Sequence, residues 1–256
     1  MATVNTWVAR VADFLLGKFP FINALSFLML LAERAKSESV PPLPPQLIYA
    51  HIGGFLICGF LMSSRMAKKE ASLVYAGQLI FFSYNFYHNK KLNYGQWQRL
   101  QMAVRQVGCV GVYVLMAFIH TKKENRSEPL RRVGEIILGI YLFAYAYILN
   151  SSSEYKRGFL HHFLDSDWLR YFITLAIVAC ALCFLSGYFI RDMSVCAVVM
   201  LILVTMVMDL DFDYWTRRGV HFWNQARLLL DSLTAVTGFA LFSRVFENRI
   251  KTEHSE

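Results

Sequence analysis

The sequence predicts an all-α, polytopic membrane protein of about eight transmembrane helices, built as two tandem four-helix repeats. Three observations predict it. Of the 256 residues, 56% are hydrophobic, against about 45–50% in a soluble domain. The apolar residues arrive in continuous blocks of the length a bilayer crossing needs, roughly 17–25 residues. Within the blocks they do not alternate, as the strands of an outer-membrane barrel would.

The blocks run 11–32, 46–62, 71–87, 100–119, 133–149, 169–190, 193–208 and 226–246. The first opens with RVADFLLGKF (10–19), so three charges and then Pro20 stand at the head of an apolar segment. The second follows PPLPP (41–45), a stiff, polyproline-like spacer. It carries His51, which reads as a hydrogen-bonded packing residue, a proton relay or a ligand. Gly53, Gly54 and Gly59 there, with Gly108 and Gly111 in the fourth block, offer small surfaces for close helix packing. Arg105 lies in the fourth block and Asp231 in the eighth. All five cysteines fall within blocks, and Cys180 and Cys183 form a C-x-x-C on one helix face. That spacing suits redox or metal chemistry. With no histidine in the same helix, the expectation is packing as small hydrophobes, without a disulfide framework.

Eight crossings put both ends of the chain on one side. The Lys/Arg bias of the connecting loops makes that side cytoplasmic. The formal net charge of +8 sits in short loops, as topogenic charge does, so no nucleic-acid partner is expected and the lipid bilayer is the expected environment. No cleavable signal peptide is expected, and the first span serves as its own insertion signal. Loops near 88–98, 150–168 and 209–224 are rich in aromatic residues, Trp97 and Trp223 among them, which suits a membrane-interface belt. Asp209, Asp211 and Asp213 read as a solvated acidic loop, with a weak cation site as the alternative.

RVADFLLGKF returns as RVGEIILGIY at 132–141. Arg10 corresponds to Arg132, Asp13 to Glu135, Leu16 to Leu138 and Gly17 to Gly139. In the second half of each unit the register shifts by four residues, so that Arg65 meets Arg191, Trp97 meets Trp223 and Arg105 falls opposite Asp231. The units are 8–121 and 130–247, joined by a basic linker (122–129) and followed by a polar tail (248–256). An even number of spans per unit gives both the same orientation, with a pseudo-two-fold axis along the membrane normal.

Charges at membrane depth cost roughly 2.5–3.5 kcal/mol each on insertion scales and call for partners, water or function. Arg10 and Asp13 share a helix face, as do Arg132 and Glu135, and each pair is expected to bond at (i, i+3). Arg105 and Asp231 are expected to meet across the pseudo-axis. No nucleotide-binding, zinc-protease or nucleophile-elbow motif stands in its required context, so no cofactor or catalytic residue is predicted.

Pro20–Phe21 followed by LMLLAERAKS (28–37), then YGQW (94–97), LGIYL (138–142), FLSGY (184–188) and DYWTRRGVHFWNQ (213–225) resemble the transmembrane protein 101 family along nearly the whole chain. More loosely, each half is similar to DoxX-like four-helix membrane units. The first resemblance implies a non-enzymatic multi-pass protein linked to activation of NF-kappa-B signalling, with membrane or cytoplasmic signalling proteins as partners; the second implies a membrane subunit of a redox complex. A third reading is a transporter or small-molecule-binding protein with its site between the repeats. A hydrated cavity at Arg105 and Asp231 favours transport, and a packed interface favours a scaffold.

Overall fold

The computed structural model describes residues 2–36, 44–64, 67–88, 95–121, 127–163 and 166–253, at 2–6, 36, 86 and 245–253 for the backbone alone. Several sequence expectations therefore lie outside the described residues: most of PPLPP, Arg65, Tyr94 of YGQW, the linker at 122–126 and the last three residues of the tail.

The described chain is all-helical: α1 (Ala2–Lys36), α2 (Pro45–Ser64), α3 (Lys68–His88), α4 (Gln96–Ile119), α5 (Glu128–Ser151), α6 (Ser153–His162), α7 (Asp167–Ser186), α8 (Ile190–Val204) running on into a π-turn (Thr205–Asp209), α9 (Phe212–Arg217) and α10 (Phe222–Glu253). Each of the eight apolar blocks is helical. Among the described residues, seven helices are long and apolar enough to cross a membrane by length and composition. The exception is α3, where Ser72, Gln78, Ser83, Asn85 and three tyrosines dilute the apolar run. It still buries a helical stripe, Ala71, Tyr75, Ala76, Leu79 and Phe82, against α4.

The sixth block is also shorter than its apolar run. Helix α7 stops at Ser186 because Gly187 takes φ 89°, and Phe189 follows at φ 55° before α8 begins. A left-handed residue after the last helical turn caps it, and glycine takes that conformation without strain.

Helices α1, α2, α3, α4, α5, α7, α8 and α10 pack each on the next, α10 closes on α1, and α4 and α10 also touch across the middle. This neighbour pattern is unchanged when the first four helices are exchanged for the second four. Helix α4 is buried nearly all round, the signature of a central helix. Gly108 lets the Tyr141 ring of α5 so close that a Cβ would stand 2.8 Å from it, and Gly238 of α10 does the same for Val112 at 2.3 Å. Gly53, by contrast, meets nothing within 4 Å. The outer faces carry Phe14, Ile57, Phe60, Phe172 and Leu175 exposed, a surface suited to lipid.

Two short helices lie where α5 meets α7 and where the π-turn meets α10. The α6 helix begins at Ser152, whose hydroxyl accepts from the Tyr155 amide, and turns Tyr155, Gly158 and Phe159 inward. The α9 helix is capped by Asp211, which accepts from the Tyr214 amide, and buries Trp215. Together they form a polar and aromatic layer at the end of the bundle where α4 and α10 begin.

Candidate functional site

The π-turn builds the most charged point of the interior. A π-turn fits an extra residue into a helical turn and frees backbone groups that must find other partners. Here the Met208 carbonyl accepts from Trp215 Nε1 at 2.7 Å, and the Asp209 carbonyl accepts from Gln225 Nε2 at 2.9 Å. The Asp209 side chain, fully buried, is thereby turned towards α4.

Arg105 meets it there. Its Nη1 donates to Asp209 Oδ2 at 2.7 Å and its Nη2 to Oδ1 at 2.8 Å, a bidentate pair at 1% and 0% exposure. Nη1 also donates to Ser232 Oγ (2.6 Å) and the Leu228 carbonyl (2.8 Å), while Nη2 donates to the Tyr155 hydroxyl at 3.0 Å. Tyr155 in turn lies 3.3 Å from the Tyr145 hydroxyl. Burial, and secondarily the Asp209 charge, pushes the Tyr155 phenol up to about 12, so it stays a neutral hydrogen-bonding hydroxyl. Trp97 and Trp215 close the group from outside, with ring centroids 5.6 Å apart. One arginine thus ties α4, the π-turn, α6 and α10 together.

The expected Arg105–Asp231 contact is not formed; Asp209, read from sequence as part of a solvated loop, takes that place. Ser232 and Asp231 are consecutive on α10 and point about 100° apart, so only Ser232 faces Arg105. Asp231 faces α1, α3 and α4. The Cys109 thiol donates to its backbone carbonyl at 3.5 Å and lies 3.8 Å from its carboxylate. Asn23 donates to the Tyr75 hydroxyl at 2.8 Å nearby, and Arg227, one turn back, lies over the Phe27 ring at 3.6 Å. The space among Asn23, Tyr75, Cys109, Tyr113, Asp231 and Thr234 is about 10 Å³, room for a single water at most.

The remaining candidates separate. Arg132 and Glu135 form the expected pair, Nη1 to Oε2 at 3.3 Å, and Arg132 also donates to the Phe184 and Leu185 carbonyls at the end of α7. Arg10 and Asp13 do not pair. Asp13 instead accepts from Lys68 Nζ at 2.6 Å and lies 2.7 Å from His120 Nε2, while Arg10 is exposed. His51 stacks on Phe81 at 4.9 Å and meets the edge of Phe82 at 4.7 Å. Trp97 turns inward, and the Trp223 backbone N–H donates to Glu33 at 3.3 Å.

Among the described residues no group of three His, Cys, Asp or Glu is placed to hold a metal ion. The sequence reading missed Asp209, Tyr155, Lys68 and His120. Asp209 carried one signal: it directly follows the apolar run of the seventh block, where a carboxylate can still be drawn inside.

A family model described as the TMEM101 protein family matches residues 2–244. No solved structure matches the chain. The DoxX-like likeness rests on the sequence motifs alone.

Proposed function

We propose, from the premise that this chain belongs to the TMEM101 protein family, that it is a non-enzymatic multi-pass membrane scaffold. It acts through contacts with neighbouring membrane or cytoplasmic signalling proteins, and by family resemblance promotes NF-kappa-B activation. The observation that carries the reading is the occupation of both terminal nitrogens of Arg105. Its guanidinium is bound on both terminal nitrogens by the protein's own groups, and the space beside Asp231 is about 10 Å³. A solute site calls for hundreds of cubic ångströms and convergent polar groups left for the ligand.

We read the exchangeable neighbour pattern of the helices as the tandem repeat, and the Lys/Arg bias of the loops as placing both termini in the cytoplasm. The two ends of the bundle then differ in kind. The end bearing α6 and α9 carries the Arg105 cluster, and the end bearing the termini carries the more basic loop sequences.

The test is an NF-kappa-B-driven reporter in cells expressing the full chain or Asp231→Asn, with membrane expression measured in parallel. Reporter output is expected to follow the amount of protein and to be unchanged by the substitution. Output lost at equal expression, together with solute flux in proteoliposomes that the same substitution abolishes, overturns the scaffold reading in favour of transport.

A further inference from the structure

The end of the bundle where α2 stops and α3 starts holds an open pocket that the scaffold reading does not use. It has a volume of about 280 Å³ and is lined by Arg10, Asp13, Lys18, Ser63 and Lys68, with Phe14 at its rim. Three cations and a single carboxylate line it. Lys68 takes that carboxylate, sharing it with His120. Among the described residues no carboxylate pairs with Arg10 or Lys18. Lys18 is held instead by Ser63 Oγ at 3.1 Å and by the faces of Phe14 and Phe21, whose centroids lie 5.4 and 5.6 Å away.

The depth of the pocket follows from helix lengths. Helix α2 has 20 residues, close to the minimum for crossing about 30 Å of hydrocarbon at 1.5 Å per residue. Ser63, at its end, therefore stands at the headgroup boundary, and its bond to Lys18 sets Lys18 at the same level. Helix α1 has 35 residues and overshoots the hydrocarbon, so Arg10, two turns beyond Lys18, reaches into the headgroup layer. Phe14 is 62% exposed on the outer face, so the pocket opens sideways to lipid as well as outward to water.

We propose that this pocket binds the phosphate of an anionic lipid headgroup, with Lys18 and Arg10 as its two cationic contacts and Lys68 as the third charge in its wall. A phosphate monoester headgroup carries more than one negative charge, and it replaces the carboxylates that Arg10 and Lys18 lack. Phosphatidylcholine, whose headgroup has no net charge, is excluded by the same logic. Lys18 is the one charge of RVADFLLGKF that the internal repeat does not share, since Ile140 takes its place. The pocket gives that unshared charge a use.

The experiment is native mass spectrometry of the full chain released from detergent micelles after addition of phosphatidic acid or phosphatidylcholine. Wild type is expected to retain phosphatidic acid preferentially. Arg10→Gln and Lys18→Gln should each lower retention about fivefold, the usual worth of one basic residue at an anionic membrane surface. Lys18→Arg should restore it, and Lys156→Gln, at the far end of the bundle, should behave as wild type. Thermal unfolding of each variant separates lost binding from lost fold. Equal retention of the two lipids, or equal retention by Lys18→Gln and Lys156→Gln, overturns the proposal. A third arm adds inorganic phosphate: if it displaces phosphatidic acid mole for mole, the pocket takes a soluble phosphate and the lipid source is overturned.

Discussion

The corner built by Arg132 and the corner built by Arg10 start from the same sequence pattern and end differently. At the Arg132 corner the guanidinium bonds Glu135 and two carbonyls at the end of α7, and Glu135 is only 1% exposed. At the Arg10 corner the arginine is exposed, its acid is taken by Lys68 and His120, and a pocket remains. The cause lies in the neighbouring helix. Helix α7 breaks at Gly187 and leaves carbonyls for Arg132; a Cβ at Gly187 would stand 2.8 Å from Arg132 Nη1, so the glycine serves both the turn and the approach. At the end of α2, Ser64 bonds the Leu61 carbonyl and Ser63 reaches the Gly17 carbonyl, so serines do there part of what Arg132 does in the other corner. A repeated motif fixes where a charge emerges, and the partner helix decides whether it is consumed.

The largest expected effect marks the sealed limit of this comparison. Arg105→Met leaves Asp209 buried without its counter-charge and should cost about 3–5 kcal/mol, read as a lower thermal midpoint in detergent. The double variant Arg105→Met/Asp209→Leu should recover much of that loss; a double variant no better than the single would show that the pair is not the source. Next, Arg132→Gln strips the closed corner of its bonds and should cost about 1–3 kcal/mol, as buried acceptors lose their donor. At the open corner Arg10→Gln should stay within about 0.5 kcal/mol. A loss there matching that of Arg132→Gln would break the comparison.

The smallest effect lies outside both corners, in the layer of α6 and α9. The hydrogen bond from His162, and then the Tyr214 amide, hold the Asp211 carboxyl below its usual range. Its contribution to stability is therefore full above the ordinary carboxylate pKa of about 3.9 and fades as pH falls through the lowered value. Asp211→Asn should lower the thermal midpoint slightly at neutral pH, and the gap to wild type should close in acid. A gap that widens in acid would reverse the sign of this account.

Much of the fold was legible in the sequence, because continuous apolar blocks dictate helices whatever their neighbours. The positions of the breaks were less legible. An apolar run continued through Gly187 and Tyr188, and only the backbone shows the left-handed pair that ends α7. The count of crossings was less legible at α3, which packs along α4 as a spanning helix would but whose apolar run is diluted, with Tyr75 buried and Tyr84 and Tyr87 exposed. At the candidate site, Arg105 was legible as a charge out of place, but its partner was not. The repeat register selected Asp231, whereas the π-turn selected Asp209, and an irregular turn leaves no periodic trace. Tyr155 was hidden for a related reason: it lies in a segment that reads as interfacial aromatics until α6 folds its inner face onto the bundle.

The π-turn also has a consequence for insertions and deletions. Met206 is 58% exposed and Val207 half-buried, so their side chains matter little to the charge they precede. The number of residues matters a great deal. Removing one residue between Thr205 and Met208 would restore an ordinary α-helical turn and swing Asp209 about 100° around the helix, out of reach of Arg105 with every polar side chain still present. Along this stretch the chain should accept changes of spelling and refuse changes of length.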